Sequence, residues 1–325
     1  MDPIIGRLLL SYEWRPFFIL FLLTLGVLYT IGWRRLRIKS RYGSLTPVWK
    51  LAAYWGALIT IAIALFSFID RLSGFLFYMH MVQHLMLTMI AGPLLMLANP
   101  FAIILWGLPA PARRAAGRGI NRIVHKRSPW RYLIRKATTP GVSYIIMLVL
   151  LWGWHEPRLY NLALTNNFVH DLEHISFLIS SLIFWWHVTG AGPRIHPMMT
   201  RGARIGYLMA GIPSTFLLGL FLSFSNRVIY TFYETVSLGI DHPLFLDPLD
   251  DQILGGIIMW VPGNMMYILA SLILASFWLQ EEEERSRKAK FKWMAEQAAA
   301  QAAQAAQAAQ AAQAAQAAQA AQGSD

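Results

Sequence analysis

The chain has 325 residues, of which 56% are hydrophobic and only 14% are charged. Soluble proteins keep about a quarter of their residues charged, so this composition excludes an ordinary soluble globular protein and indicates a membrane protein. The chain contains no cysteine, which excludes disulfides and thiolate metal ligands.

Seven segments of the chain have the roughly 20 mostly apolar residues that a membrane-spanning helix requires. They are residues 16–33, 51–69, 75–98, 141–155, 167–189, 205–226 and 253–279. The fourth segment is the shortest, and Trp152 and Trp154 near its end are typical of the aromatic belt at a membrane surface. We therefore predict an all-α fold, with a seven-transmembrane helix bundle in residues 1–280.

The basic residues are unevenly divided between the two sides of this bundle. Of the 28 lysines and arginines, 23 lie in the four connections on one side, namely residues 34–50, 107–140, 190–204 and 280–325. Because basic connections stay in the cytoplasm, the N-terminus is predicted outside and the C-terminus inside. The net charge of +11 is then explained by topology and by contact with lipid headgroups, and no nucleic-acid partner is expected.

Residues 281–325 differ in character from the bundle. Four glutamates are followed by five basic residues and then by a tract in which Ala-Ala-Gln repeats. Alanine and glutamine are good helix formers, but a period of three drifts around a helix of 3.6 residues per turn and forms no coiled-coil seam. We predict a cytoplasmic tail that is helical or poorly ordered.

Two His-x-x-x-His pairs lie inside predicted spans, His80/His84 in the third and His170/His174 in the fifth. A spacing of four residues places both imidazoles of a pair on one helix face. Both spans run from outside to inside, and both pairs lie roughly 5–13 Å below the outer surface. Ionisable groups at this depth are costly and are usually functional, so four imidazoles on adjacent helices would form a metal site.

Further donors are expected near these pairs. His155 follows the fourth span at its outer end, and the other candidates are Met79, Met81, Asp70, Asp171 and Glu173. Imidazole suits copper, zinc and iron, while thioether selects Cu(I). A carboxylate can accept the second N–H of a ligating imidazole, a role open to the three acidic residues. Membrane histidines also serve as hydrogen-bond partners between helices, and methionines commonly fill gaps in a core.

Two blocks of sequence resemble the polytopic CtaG family. The first runs from Tyr78 to Leu87, and the second contains Trp154–Tyr160, His170–His174 and Phe184–Trp186. The similarity covers roughly residues 50–280. It implies a multi-pass protein of the bacterial plasma membrane that helps to assemble caa3-type cytochrome c oxidases and to supply them with copper. It also implies that the candidate copper positions are His80, His84, His155, His170 and His174.

The resulting hypothesis is a non-enzymatic copper carrier. It would hold Cu(I) at the outer histidine site and pass the ion to a cytochrome c oxidase subunit in the same lipid bilayer. Three alternatives stay open: an intramembrane zinc hydrolase with Asp171 or Glu173 as general base, a bis-histidine haem protein using His80 and His170, and a metal-free oxidase-binding scaffold. The sequence also leaves open a homo-oligomer.

Overall fold

The computed structural model describes residues 15–40, 46–236 and 245–322, and every regular element in these ranges is a helix. The predicted all-α class is therefore confirmed. Residues 1–14, for which an outer location is predicted, and the last three residues of the tail lie outside the described ranges.

The helices follow one another in this order. The first half of the chain contains α1 (Pro16–Lys39), α2 (Val48–Phe66), α3 (Phe68–Ser73), α4 (Phe77–Leu85), the π-helical segment π1 (Met86–Ala91), α5 (Gly92–Ala98), α6 (Pro100–Gly107), α7 (Ala110–Val124) and α8 (Pro129–Ala137). The second half contains α9 (Pro140–Trp154), α10 (Pro157–Thr165), α11 (Asn167–Thr189), α12 (Arg201–Ser223), α13 (Thr231–Val236) and α14 (Pro248–Gln322).

Five helical segments are long and apolar enough to cross a membrane: α1, α2, the segment Phe77–Ala98, α12 and the part Pro248–Gln316 of α14. Helices α8 and α9 are bent by 58° at their junction and add a sixth if the pair is one span. Helix α9 alone has 15 residues, whereas α11 has 23 but carries three histidines, an aspartate and a glutamate, which lower its apolar character. The described chain thus supports a multi-pass membrane protein with five or six spans. Seven spans and their orientation stay predictions.

The chain divides into two compact units, residues 1–271 and 272–325. In the second unit, every side chain from residue 282 to residue 316 is exposed. Helix α14 continues to Gln322, so the Ala-Ala-Gln tract is helical as far as it is described. The domain boundary predicted between residues 280 and 281 stays a prediction.

The third predicted span is one helical segment interrupted by π1. Pro93 explains this interruption, because proline has no N–H and its ring clashes with the carbonyl four residues earlier. The Gly92 N–H bonds to the Leu87 carbonyl, five residues back, and the next carbonyl, that of Thr88, would need the N–H that Pro93 lacks. The segment ends at Asn99, whose left-handed backbone (φ 49°) precedes Pro100.

Helix α11 supplies the donors that the Thr88 carbonyl lacks. The Ser181 hydroxyl donates to it at 2.6 Å and the Trp185 indole N–H at 3.2 Å. Gly92 allows this approach, because a Cβ there would lie 2.0 Å from the Ser181 oxygen. The third and fifth predicted spans are therefore adjacent, as the shared histidine site requires.

A buried cluster of apolar and aromatic side chains surrounds the end of α4 that carries His80. Its members are Phe77, Met81, Tyr160, Leu218, Leu222, Tyr230, Tyr233 and Met259. The Phe77 ring stacks on Tyr230 at 4.9 Å between centroids, and Tyr160 lies 4.1 Å from Tyr230. Helices from distant parts of the chain are thereby packed around one point beside the first histidine pair.

Candidate metal centre

Three histidines and one glutamate form a buried cluster between α4 and α11, which we call the His/Glu centre: His80, His84, Glu173 and His174. The exposed fraction of these residues is 7% or less, and Glu173 is fully buried. One ligand atom from each of the four lies within 4.8 Å of all the others. Both helices therefore contribute two residues to one centre.

The spacing of these atoms suits a coordinated metal ion. The Nε2 of His80 lies 3.7 Å from one Glu173 carboxylate oxygen, and the Nε2 of His84 lies 3.6 Å from the other. Ligands about 2.1 Å from a tetrahedral metal are about 3.4 Å apart, so small side-chain movements would bring all four into coordination.

Six polar atoms of the centre have no hydrogen-bond partner among the described residues. These atoms are Nε2 of His80, both ring nitrogens of His84, Nε2 of His174 and both carboxylate oxygens of Glu173. Buried polar atoms are nearly always hydrogen-bonded, and each exception costs about 1–3 kcal/mol. Lone pairs concentrated beside a fully buried carboxylate make a site suited to a positively charged ion.

A chain of hydroxyl groups orients the His80 ring. The Tyr233 hydroxyl donates to the Ser73 carbonyl at 3.0 Å, and Tyr160 lies 3.2 Å from Tyr233 and 2.8 Å from the Nδ1 of His80. Burial raises the pKa of both phenols, so each keeps its proton. When His80 Nδ1–H donates to Tyr160 and Tyr160 donates to Tyr233, every donor has an acceptor. The Nε2 lone pair of His80 then faces Glu173, as a metal ligand requires.

The start of α4 is held by a residue from the far end of the chain. The Asp251 carboxylate accepts the backbone N–H groups of Phe77 at 2.7 Å and of Tyr78 at 2.9 Å. These N–H groups have no partner within the helix, since they belong to its first turn. Asp251 thereby positions the turn that carries His80.

The other two predicted histidines border the centre. The ring centroid of His170 lies 4.2 Å from that of His174 and 5.2 Å from that of His80. The His155 ring lies 6.3 Å from that of His84. Its Nδ1 contacts the Leu151 carbonyl at 2.7 Å, and because a carbonyl only accepts, Nδ1 carries the proton. The Nε2 of His155 therefore has a lone pair, and it has no partner among the described residues.

The remaining predicted donors have different positions. Glu173 belongs to the ligand group itself rather than only supporting it. Asp171 pairs with Arg15, and Asp70 accepts a hydrogen bond from Gln83 at 2.8 Å. Met79 packs against the apolar cluster of Leu72, Leu76 and Tyr78, whereas Met81 is buried in the core beside His80.

Sequence reasoning did not identify Tyr160, Tyr233, Ser73 or Asp251 as contributors. Tyr160 is the last residue of the segment Trp154–Tyr160, which carries part of the family resemblance. Its place in that segment could have indicated a role at the site. Tyr233 contacts His80 across 153 residues of sequence, so no local pattern indicated it.

Comparison with known proteins gives three findings. The family model described as cytochrome c oxidase caa3 assembly factor matches residues 27–281. Uncharacterized proteins of Mycobacterium leprae and Mycobacterium bovis are each 27% identical to the chain, over 80% and 79% of its length. The matched region spans only 38% of each of these relatives. No solved structure matches the chain.

Proposed function

The chain belongs to the family of cytochrome c oxidase caa3 assembly factors, and on that premise we propose that it binds copper at the His/Glu centre and delivers it to the oxidase. One observation carries the proposal: three imidazoles and a carboxylate meet in a buried site with their lone pairs unpartnered. Copper is the cargo in this proposal, and the protein acts as a carrier rather than as an enzyme.

The donor set favours a transition metal over the common hard cations. Imidazole suits copper and zinc, whereas Mg²⁺ and Ca²⁺ prefer sites built from oxygen ligands. Between the two candidates, copper follows from the association of the family with cytochrome c oxidase. The ion is proposed to be Cu(I), which imidazoles bind without thiolates.

Topology is the second part of the proposal. With α9 and α11 as the fourth and fifth of seven spans and the basic connections inside, the His/Glu centre lies near the outer surface. A cavity of about 300 Å³, lined by Asp70, Arg71 and His170 among others, lies beside it. We propose that this polar cavity is the access route, with His170 as the first imidazole that an incoming ion meets.

The decisive test is elemental analysis of the full chain purified in detergent and loaded with copper. Wild type should hold about one copper ion at the His/Glu centre, and the double variant His80→Ala/His84→Ala should hold none there because half of the ligands are gone. His125→Ala is the matched control, since His125 is exposed and lies outside the cluster. Unchanged copper content in the double variant would contradict the assignment.

Metal identity, hydrolytic activity and oxidase assembly in cells distinguish the alternatives. Zinc without copper, together with hydrolysis of a lipid or peptide, would favour an intramembrane zinc hydrolase. Normal oxidase assembly in cells carrying the double variant would favour a metal-free scaffold. Either outcome would overturn the copper-delivery proposal.

A further inference from the structure

A second cavity adjoins His84 and is lined by residues with soft lone pairs. This cavity of about 60 Å³ is lined by four methionines, Met81, Met89, Met147 and Met259, together with His84 and His155. The methionines come from α4, π1, α9 and α14, so residues of four separate elements line one space. We call it the thioether pocket.

The hydroxyl and indole groups that line the pocket already donate to acceptors. The Ser181 hydroxyl and the Trp185 indole donate to the Thr88 carbonyl, and the Thr88 hydroxyl donates to the His84 carbonyl. The remaining hydroxyl groups have acceptors as well: Ser180 donates to the Phe177 carbonyl, Thr215 to the Asn264 side chain and Tyr267 to the Met147 sulfur. A guest that needs hydrogen-bond donors would therefore find few.

The pocket offers electron pairs instead. With Nδ1 bonded to the Leu151 carbonyl, the neutral His155 ring has its lone pair on Nε2, which has no partner among the described residues, and only 6% of the surface of His155 is exposed. The thioether sulfurs add further lone pairs of a soft kind. Such a lining suits an electron-pair acceptor, and thioether with imidazole selects Cu(I) among the metal ions.

Charge also favours a monovalent ion. No carboxylate lines the pocket as far as the chain is described, in contrast to the His/Glu centre with its buried Glu173. The cost of burying an ion rises with the square of its charge, so an apolar lining without a counter-charge disfavours Zn²⁺ and Cu²⁺ far more than Cu(I).

From this lining we propose that the thioether pocket is a second, Cu(I)-selective site, in which His155 and methionine sulfurs bind an ion adjacent to the His/Glu centre. The inference rests on the proposed copper function and deepens it. His84 belongs to the His/Glu centre and also lines the pocket, so it can stay bound while the other ligands exchange. The ion remains Cu(I) in both positions, and the transfer needs no oxidant or reductant.

The test compares methionine variants of the full chain in detergent, loaded with Cu(I) without oxygen in competition with a Cu(I) chelator. Met89→Leu/Met259→Leu removes two thioethers at nearly constant volume, which cores tolerate well. Met209→Leu/Met265→Leu is the matched control, because these methionines are exposed by 36% and 62% and lie on α12 and α14. Copper content, copper X-ray absorption and Zn²⁺ binding are measured for each protein.

We expect wild type and control to bind about two Cu(I) ions with sulfur in the coordination shell, and the pocket variant to lose about one ion together with the sulfur signal. Retained Zn²⁺ binding in the pocket variant would show that it is folded and that its His/Glu centre is intact. Only nitrogen and oxygen around copper in wild type, or an unchanged copper content in the pocket variant, would overturn the inference.

The outcomes separate this inference from the proposed function. Glu173→Gln should abolish Zn²⁺ binding and leave the sulfur-ligated copper in place, because Glu173 does not line the pocket. Metal binding at the His/Glu centre without any sulfur signal in the copper X-ray absorption would contradict the second site and leave the proposed function intact. Failure of the wild-type protein to bind either Cu(I) or Zn²⁺ would contradict both proposals.

Discussion

Helix α11 carries histidines near both ends, and the surroundings of these histidines differ. Near its N-terminus, His174 belongs to the His/Glu centre, in which the Nε2 atoms of all three histidines are unpartnered among the described residues and lie beside a buried carboxylate. Near its C-terminus, the His187 ring lies 5.3 Å from that of His196, a distance similar to those in the centre. Ring proximity alone therefore does not separate a metal site from a structural contact.

The hydrogen-bond partners of the histidines distinguish the two ends of α11. The His187 Nε2–H donates to the Thr138 carbonyl at 2.9 Å, and the His196 Nε2 bonds to the Thr138 hydroxyl at 2.8 Å. Burial lowers the pKa of His196, and Arg135 and Arg131 lower it further. Arginines beside one pair and a glutamate beside the other give opposite preferences for a cation. Unpartnered ring nitrogens together with a nearby carboxylate therefore indicate a metal site.

The largest expected effect tests the two ends of α11 directly. His174→Ala removes one of four ligands and should weaken copper binding at the His/Glu centre by more than about 100-fold, since loss of a supporting residue alone costs 10–100-fold. His187→Ala, on the same helix, should leave the affinity unchanged. Affinity is measured by competition with a chelator of known strength. Equal losses in both variants would erase the distinction between the two ends.

The next effect concerns thermal stability. Copper at about 100 times its Kd should stabilise the wild-type protein by about 2.7 kcal/mol, and a chelator should reverse the gain. Glu173→Gln should lose the part of this gain that comes from the His/Glu centre, because an amide is a weaker metal ligand than a carboxylate, and should keep the part that comes from the thioether pocket. Melting curves with and without copper measure the gain in both proteins. An undiminished gain in Glu173→Gln would contradict the role of the carboxylate.

A smaller effect is expected from the hydroxyl chain that orients His80. Tyr160→Phe removes the acceptor 2.8 Å from Nδ1 and should weaken copper binding by about 10-fold while leaving the stoichiometry unchanged. Tyr207→Phe is the control, since the Tyr207 hydroxyl is buried without a partner among the described residues and its ring lies near His187. Copper titrations of both variants measure the affinities. An equal loss of copper affinity in Tyr207→Phe would count against a specific role for Tyr160.

The smallest effect is expected at the other end of α11. Thr138→Val removes the hydroxyl that bonds to His196 and should lower the stability by about 1 kcal/mol or less, because water can replace this partly buried contact. Copper affinity should not change. Denaturation midpoints and copper titrations of this variant check the expectation. A copper defect in Thr138→Val would mean that the His187/His196 pair takes part in metal binding after all.

Much of the site follows from helix periodicity. The spacing of four residues placed both histidine pairs correctly on facing surfaces. The same rule does not distinguish Glu173 from Asp171, since Glu173 lies three residues after His170 and Asp171 lies three residues before His174. Only the packing of the helices separates them: Glu173 joins the centre, whereas Asp171 pairs with Arg15.

Other parts were beyond local patterns. Tyr233 and Asp251 reach α4 from more than 150 residues away, and no periodicity relates such positions. The number of spans was also difficult to predict, because α11 combines histidines and acidic residues with apolar residues and so has the composition of neither a typical span nor a surface helix. A site placed inside a span weakens the hydrophobic signal by which that span is recognised.

The tether of the Thr88 carbonyl to Ser181 and Trp185 has a mechanical consequence. It fixes α11 against π1 about one turn from His84, so hydrogen bonds between the two segments hold the residues of the His/Glu centre in register. Under the proposed function, loading and release of the ion would then need little movement of the helices, because the protein itself maintains the geometry of the site.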